Sequence, residues 1–154
     1  MQVYFKEAAI SDEEVLTRLR REFVALEPFP NPLDAETDRA VLLSLIKNKQ
    51  FGRIWLIKCD GETAGYLVLT FGFSLEYRGR DALLDELFVR EQYRGVGVGK
   101  QAISFVARFC LSENIQAVHL EVERSNKRAQ SLYSQNGFVD HERYFLTRWI
   151  EAKT

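Results

Sequence analysis

A strand-like apolar run joined through glycines to an amphipathic helix is the feature that most constrains this chain. The run is Leu83–Val89, glycines alternate between Arg94 and Lys100, and apolar side chains then recur at helical spacing from Ile103 to Leu111. Glycine reaches positive φ and has no Cβ, so successive backbone amides can converge on one anion. The helix start adds free N–H groups and the positive end of its dipole. The segment therefore predicts a site for a phosphate-bearing ligand.

Strand-like and helix-like patterns elsewhere follow the order β, α, α, β, β, β, α, β, α, β, β. The Asp60-Gly61 pair between two apolar runs predicts a two-residue hairpin. The helix that follows the glycines connects two strands, which predicts a right-handed parallel unit inside an antiparallel meander. We therefore expect one α/β domain over residues 1–154, with a mixed, mostly antiparallel sheet. The predicted strands cover residues 3–5, 53–59, 62–73, 82–89, 116–122, 138–139 and 144–150.

The helices before and after this central unit also have recognisable ends. Ser11 followed by Glu14 predicts a capping box at the start of the first helix, and a second helix is expected over residues 34–49. All three prolines fall within residues 28–32, which predicts a stiff, extended connection between these helices. A short helix over residues 126–136 is expected to end at Gly137.

Composition excludes several classes of protein. Lys and Arg number 21 against 22 Asp and Glu, so no net field attracts nucleic acid or an anionic membrane. No apolar run approaches the roughly 18 residues that cross a bilayer, and no leader pattern opens the chain, so we expect a cytoplasmic protein. Cys59 and Cys110 have no metal-type spacing to His119 or His141. We interpret them as buried, reduced thiols and expect no metal.

The glycine segment alone leaves several interpretations open. A Walker A loop requires Ser or Thr after the Gly-Lys pair at 99–100, where this chain has Gln101. A dinucleotide-binding oxidoreductase is a weaker alternative, because residues 97–102 fit Gly-x-Gly-x-x-Ala but the polar stretch 90–94 separates the strand from the glycines. The third interpretation is a tight strand-to-helix turn that binds nothing.

Two motifs taken together decide between these interpretations. The first is Val-x-x-x-x-Arg-Gly-x-Gly-x-Gly-Lys over residues 89–100, and the second is Asn-x-x-Ala-x-x-Leu-Tyr-x-x-x-Gly-Phe over residues 126–138. The pair resembles the GNAT superfamily of acetyl-CoA-dependent N-acetyltransferases, and the predicted element order agrees with it along the whole chain. The resemblance implies a GNAT-like fold with helices on both faces of the sheet. It also implies a gap where two central parallel strands splay apart.

The resemblance implies acetyl-CoA as cosubstrate and assigns residues to it. The pyrophosphate would rest on the backbone of residues 94–100, and the pantetheine arm would run beside the strand residues 87–89. Asn126 would bond the pantetheine, although it is also a good helix cap. The implied cofactor-binding residues are Leu87, Phe88, Val89, Arg94, Gly95, Val96, Gly97, Val98, Gly99, Lys100, Asn126 and Ala129.

The implied reaction is direct attack of a primary amine on the thioester, which requires a base and an acid. Tyr133 would protonate the departing thiolate, unless it is simply a core ring. Asp85 or Glu86, acting directly or through water, would be the base, and only one of them can face the substrate because strand neighbours alternate. The alternative for this doublet is a salt bridge at the wet end of the strand. Glu121 and Glu123 are weaker candidates.

The acceptor is less well defined by the sequence. Residues 84–89 resemble the matching strand of spermidine/spermine N-acetyltransferases, which implies a small cationic amine. Protein or peptide N-acetylation and a non-catalytic acyl-CoA sensor are the alternatives. Phe145 and Trp149 lie in the predicted terminal strand, which in relatives of this type serves a homodimer. The implied substrate-binding residues are Glu27, Asp85, Glu86 and Glu123.

Overall fold

In the part of the chain that the structure describes, five strands form one sheet in the order in which they occur along the sequence. The structure, a computed structural model, describes residues 1–27 and 34–150. Neighbouring strands are antiparallel except for the last pair, which is parallel, so the predicted mixed sheet is confirmed. The elements are β1 (Val3–Glu7), α1 (Glu13–Leu26), α2 (Ala35–Lys47), β2 (Gly52–Cys59), β3 (Glu62–Ser74), β4 (Gly79–Val89), α3 (Val98–Ser112), β5 (Ala117–His119) and α4 (Lys127–Gln135).

Helices cover both faces of the sheet, as the resemblance implied. On one face α3 buries Val98 and Val106 against strand residues such as Leu67. On the other face α1 and α2 bury Leu19 and Leu42 against the opposite side of the same strands. Both cysteines are buried and unpaired. Among the residues described, no helix is long and apolar enough to span a membrane.

Local turn chemistry agrees with the sequence at some positions and differs at others. Asp60 and Gly61 both have positive φ, 48° and 87°, as a two-residue hairpin turn requires. Asp34 caps α2 by accepting a hydrogen bond from the Thr37 amide at 2.9 Å. The predicted capping box at Ser11 is wrong, because a short 3-10 turn precedes α1 and the Asp12 carboxylate accepts from the Ala9 amide at 2.9 Å. The proline segment lies outside the described residues.

The chain beyond α4 does not form the predicted terminal strand pair. Residues 138–150 adopt neither helix nor strand, and β5 is shorter than the predicted strand 116–122. Strand propensity reflects packing on a sheet surface, and among the described residues the short β5 pairs with β4 alone. Arg143 of this segment forms a surface ion pair with Glu76 at 2.8 Å.

A β-bulge in β4 shapes the centre of the sheet. Val68 of β3 lies opposite Glu86 and Leu69 opposite Leu84, so Asp85 is an extra residue without a partner in β3. Leu84 packs on the α3 face, whereas the neighbours of Glu86 are on the α1 and α2 face. The bulge therefore breaks the simple alternation that would place residues 84 and 86 on one face.

The parallel pairing of β4 and β5 ends just before this bulge. Leu83 opposite His119 is the last pair, although β4 continues to Val89. Within the described residues, the edge of β4 from residue 84 onward therefore has no strand beside it on the β5 side. The splayed gap that the resemblance implied is present.

Candidate active site

The glycine turn at the end of the gap has the backbone of an anion site. Gly95 and Gly97 have φ of 80° and 90°, and Gly97 is the N-cap of α3 without any side-chain cap. The first amides of α3 have no intrahelical acceptor and point outward. A Cβ added to Gly97 would meet no atom within 4 Å, so the space above the helix end is open. The turn can take a phosphate group on its backbone N–H groups and the helix dipole.

The cations around this turn differ in part from those predicted. Arg94 Nε donates to the carbonyl of Val89 at 2.6 Å, which ties the turn to the end of β4. Arg128 of α4 lies 3.7 Å from the position that a Gly95 Cβ would take. Sequence reasoning did not single out Arg128, although it lies inside the second motif. Gly99 is close to α4 as well, because a Cβ there would lie 3.1 Å from Leu132.

Asn126 is the N-cap of α4, the bland alternative that the sequence had left open. Its side-chain oxygen accepts from the Ala129 amide at 3.0 Å and so begins α4. The side-chain NH2 group makes no hydrogen bond with the described residues. Capping and ligand binding are thus compatible, because they use different atoms of the amide.

Tyr133 is half-buried between α4 and the core on the α3 face. Its ring meets Phe138 edge-on, with the ring centroids 5.7 Å apart. The hydroxyl has no hydrogen-bond partner among the described residues. Burial raises the pKa of the Tyr133 phenol, and the negative charge of Glu27 adds to this shift. The hydroxyl is therefore held protonated and able to donate.

Glu86 is buried, and each of its carboxylate oxygens accepts a hydrogen bond from a protein group. Arg20 Nη1 and the Tyr66 hydroxyl each donate to it at 2.6 Å. Arg20 also donates to Asp38 at 2.8 Å, so one guanidinium joins α1, α2 and β4. Burial raises the pKa of the Glu86 carboxyl, and the Arg20 charge opposes this shift. The salt-bridge alternative thus holds for Glu86, but inside the sheet and not at a wet end.

Asp85 differs from its neighbour in exposure and in hydrogen bonding. It is exposed at the bulge and makes no hydrogen bond with the described residues. The residue is exposed, but neighbouring protein atoms desolvate its carboxyl and raise the Asp85 pKa. The positive charge of Arg20 opposes this shift. Asp85 therefore has a free carboxylate with raised basicity beside the gap.

The remaining acidic candidates lie at the margins. Glu27 is exposed at the C-terminal end of α1, near enough to Tyr133 for its charge to be felt. Glu121 and Glu123 are exposed between β5 and α4, and the Glu123 carbonyl accepts from the Asn126 amide at 2.9 Å. Within residues 1–27 and 34–150 no group of three or more His, Cys, Asp or Glu is placed to hold a metal.

An open cavity of about 450 Å³ lies between α1 and the connection from β4 to α3. Phe88 and Arg94 line it, together with the ion pair of Glu22 and Arg90, whose charged atoms are 2.7 Å apart. The cavity therefore borders the glycine turn on the α1 side of the sheet.

The sequence matches the acetyltransferase (GNAT) family over residues 15–138, a range that contains most of α1, the bulge, the glycine turn and α4. The chain belongs to this family. Enzymes of the GNAT family use acetyl-CoA as the acetyl donor, and the glycine turn, the uncapped start of α3 and the open edge of β4 fit such a ligand. Membership also removes the support for the dinucleotide-binding alternative.

Individual GNAT proteins resemble the chain to different extents. Thialysine N-epsilon-acetyltransferase of Bos taurus is 34% identical over 89 residues, which are 55% of this chain and 52% of that protein. The chain spans about half the length of the thialysine acetyltransferases it matches. An integron cassette protein from the mobile metagenome of Cole Harbour Salt Marsh is 34% identical, with a TM-score of 0.83 over 99% of this chain and 92% of that chain.

A predicted acetyltransferase from Clostridium acetobutylicum, solved with acetyl-CoA, shares the fold. Its TM-score is 0.79 over 96% of each chain, at 14% identity. At that identity the likeness concerns the fold alone.

Arg20→Met should destabilise the protein by about 3–5 kcal/mol, because it leaves the buried Glu86 without its cation. Loss of Arg20 also raises the folded-state pKa of Glu86 further above its unfolded-state pKa. A carboxyl shifted in this direction destabilises the fold as pH rises from the unfolded-state pKa to the folded-state pKa. The loss should therefore be larger at about pH 8 than at about pH 5. Urea denaturation at both pH values measures it.

Arg143→Met is the matched control, because Arg143 pairs with Glu76 on the surface, where the side chains are 65% and 55% exposed. This variant should leave stability almost unchanged. The stabilising role of the buried pair would be contradicted if Arg20→Met lost no more unfolding free energy than the control. It would also be contradicted if that loss were equal at both pH values.

Proposed function

We propose that this protein transfers the acetyl group of acetyl-CoA to a primary amine. The observation that carries the proposal is the continuity of two features: the uncapped glycine turn before α3 and the unpaired edge of β4 that leads to it. A turn of this kind suits the pyrophosphate, and free strand amides and carbonyls suit a pantetheine arm. Acetyl-CoA supplies a reactive thioester, and the protein supplies binding, orientation and proton transfer.

Residues of the chain would divide this binding between them. The backbone of residues 94–100 would hold the pyrophosphate, with Arg128 as an added cation. Leu87, Phe88 and Val89 would offer their backbone groups to the pantetheine, and the free NH2 group of Asn126 would donate to it. Ala129 acts through its backbone, because its amide fixes the Asn126 side chain.

Asp85 is the base in this proposal, and Glu86 is a structural residue. An alkylammonium has a pKa near that of Lys, about 10, so it must lose a proton before it attacks. The Asp85 carboxyl is exposed and unpaired, whereas the Glu86 carboxyl is occupied by Arg20 and Tyr66. Asp85 would also bind the cationic acceptor before it takes the proton.

Tyr133 is the acid in this proposal. Its hydroxyl is unpaired among the described residues, and burial keeps it protonated. It would donate its proton to the sulfur as the C–S bond breaks, which prevents release of a free thiolate. Glu27, whose charge reaches this hydroxyl, would attract a cationic acceptor to the same side.

A small cationic amine is the proposed acceptor. Exposed carboxylates at Asp85 and Glu27 favour a cation, and thialysine, after which one relative is named, is such an amine. Glu123 is exposed in the connection between β5 and α4 and is the weakest of the proposed acceptor contacts. A peptide amine, or acyl-CoA sensing without transfer, is the second candidate.

Three other expectations remain predictions. Residues 1–154 would form a single domain, located in the cytoplasm. A homodimer would bury the apolar side chains of the C-terminal segment, of which Tyr144, Leu146 and Ile150 are at least 86% exposed. Phe145 and Trp149, named from the sequence, belong to the same surface.

Thiol release from acetyl-CoA tests the function directly. Purified protein should release CoA thiol only when an amine is added, and diamines or thialysine-like amines should give higher kcat/KM than peptides. Thiol detection across a panel of diamines, polyamines, amino acids, aminoglycosides and peptides measures this. CoA binding without thiol release from any amine would favour the sensor, and a preference for peptides would overturn the small-amine acceptor.

Gly97→Val and Tyr133→Phe should separate cofactor binding from turnover. Valine at Gly97 would fill the open space above α3 and weaken acetyl-CoA binding at least about tenfold, or about 1.4 kcal/mol. Phenylalanine at Tyr133 should lower kcat with little change in acetyl-CoA affinity. Calorimetric titration and steady-state kinetics measure the two effects.

Gly61→Val is the control for the glycine variant. Gly61 has φ of 87° and equally open surroundings, but it lies in the β2–β3 turn. Both valine variants therefore carry similar backbone strain, and only Gly97→Val should lose affinity. Equal turnover of Tyr133→Phe and wild type at saturating substrates would remove Tyr133 as the acid.

Asp85→Asn should remove the acid limb of the pH profile. In the wild type, kcat/KM should rise with pH as Asp85 loses its proton, over a range above the usual Asp pKa of about 3.9 because the Asp85 pKa is raised. The asparagine variant should lose this limb and about 10²-fold or more of kcat/KM. A retained limb with near wild-type activity would reassign the base.

A further inference from the structure

Asp85 is held in place by its two neighbours in β4 and not by strand pairing. It is the extra residue of the bulge, so it has no partner in β3. The pairing of β4 with β5 ends at Leu83, and the Asp85 side chain makes no hydrogen bond with the described residues. Its position therefore depends on how firmly Leu84 and Glu86 are anchored on either side of it.

The two anchors lie on opposite faces of the sheet. Leu84 is buried in the apolar core on the α3 face. Glu86 is buried on the α1 and α2 face, where its carboxylate accepts hydrogen bonds from Arg20 and Tyr66. One anchor is thus apolar packing, and the other is a pair of charge-assisted hydrogen bonds.

Tyr66 is completely buried in β3, opposite Phe88, and its hydroxyl donates to Glu86 Oε2 at 2.6 Å. Burial and the negative charge of Glu86 raise the pKa of the Tyr66 phenol, so the hydroxyl stays protonated and remains a donor. Without this donor, Oε2 would be a buried carboxylate oxygen that lacks a partner among the described residues, which is costly. Rotation of Glu86 toward solvent would relieve this cost, and it would displace the adjoining peptide and Asp85.

The charged and titratable groups around the two carboxyls come from α1, α2, β3 and β4. Arg20 of α1 acts on both Asp85 and Glu86. Asp38 of α2 accepts from Arg20 and adds negative charge near Tyr66. Desolvation by neighbouring protein atoms raises the Asp85 pKa. A displacement of this carboxyl toward solvent would reduce the desolvation and make Asp85 a weaker base.

We propose that Tyr66 is a positioning residue, which fixes Glu86 and thereby the bulge that holds Asp85 beside the gap. Arg20 shares this role from α1. The proposal rests on the acetyl transfer proposed above, with Asp85 as its base, and adds a buried residue that acts through its neighbour. Tyr66 makes no hydrogen bond with residues 94–100, so the glycine turn does not depend on its hydroxyl.

Tyr66→Phe tests the proposal, because it removes the hydroxyl and keeps the ring. At about pH 7 its kcat/KM with the best amine should be about tenfold below wild type, since a small displacement of a catalytic group slows the reaction. The acid limb of its pH profile should move down toward the usual Asp pKa of about 3.9, because the Asp85 carboxyl becomes more hydrated. Acetyl-CoA affinity, measured by calorimetric titration, should not change.

A double-mutant cycle with Asp85→Asn shows whether Tyr66 acts through the base. On the asparagine background, Tyr66→Phe should lower kcat/KM by no more than about twofold, because the group that it positions is already absent. A merely structural role would give the same fold-loss on both backgrounds.

Tyr77→Phe is the matched control. The Tyr77 hydroxyl also contacts a side chain, His141 Nε2 at 3.5 Å, but it belongs to the β3–β4 turn and not to the bulge. This variant should keep kcat/KM within about twofold of wild type and leave the acid limb where it is.

Each outcome decides a separate point. An acid limb that does not move in Tyr66→Phe, or equal losses on both backgrounds, would overturn the role of Tyr66 and leave acetyl transfer intact. Absence of thiol release by the wild type with every amine would overturn the proposed function, and this inference with it.

If Tyr66→Phe does not fold, Arg20→Lys provides the same test. Lysine keeps the positive charge but lacks the planar fork that bonds Glu86 and Asp38 together. The acid limb should again move to lower pH, and an unchanged limb would overturn the proposal.

Discussion

The buried ion pair between Arg20 and Glu86 connects α1 to β4, the strand that borders the candidate site. A carboxylate within the sheet is costly unless it is paired and hydrogen-bonded, and Arg20 and Tyr66 meet that need at 2.6 Å each. Because Arg20 also binds Asp38, the same guanidinium holds α1 and α2 against β4. The position of these helices relative to the bulge is therefore set by electrostatics as well as by apolar packing.

The bulge at Asp85 gives two adjacent carboxylates different environments. Glu86 is turned into the α1 and α2 face, where it is fixed, and Asp85 remains at the surface beside the gap. Two acidic residues in sequence thus become one structural group and one chemically available group. The same irregularity lies where β4 and β5 part, so the opening for a ligand and the candidate base arise at one place in the strand.

Much of the fold follows from local patterns. Turn chemistry and periodicity predict the hairpin at Asp60-Gly61, the helix after the glycines, the parallel unit and the short helix closed by Gly137, and all are present. The prediction for the start of α1 is wrong because Asp12, and not Ser11, bonds the preceding amide. The prediction of terminal strands is wrong because an apolar, aromatic segment has strand propensity whether or not a sheet edge is available to it.

The sequence by itself determined the family, the glycine turn and the residue types of the site, because these depend on short spacings along the chain. Only the tertiary structure decided which of Asp85 and Glu86 is free, and that Arg128 approaches the glycine turn. The approach of Arg128 joins residues far apart in sequence, and the free carboxylate depends on a bulge that shifts the alternation of β4 by one residue. No pattern within a single strand reports such a shift, since it is defined only by the pairing with β3.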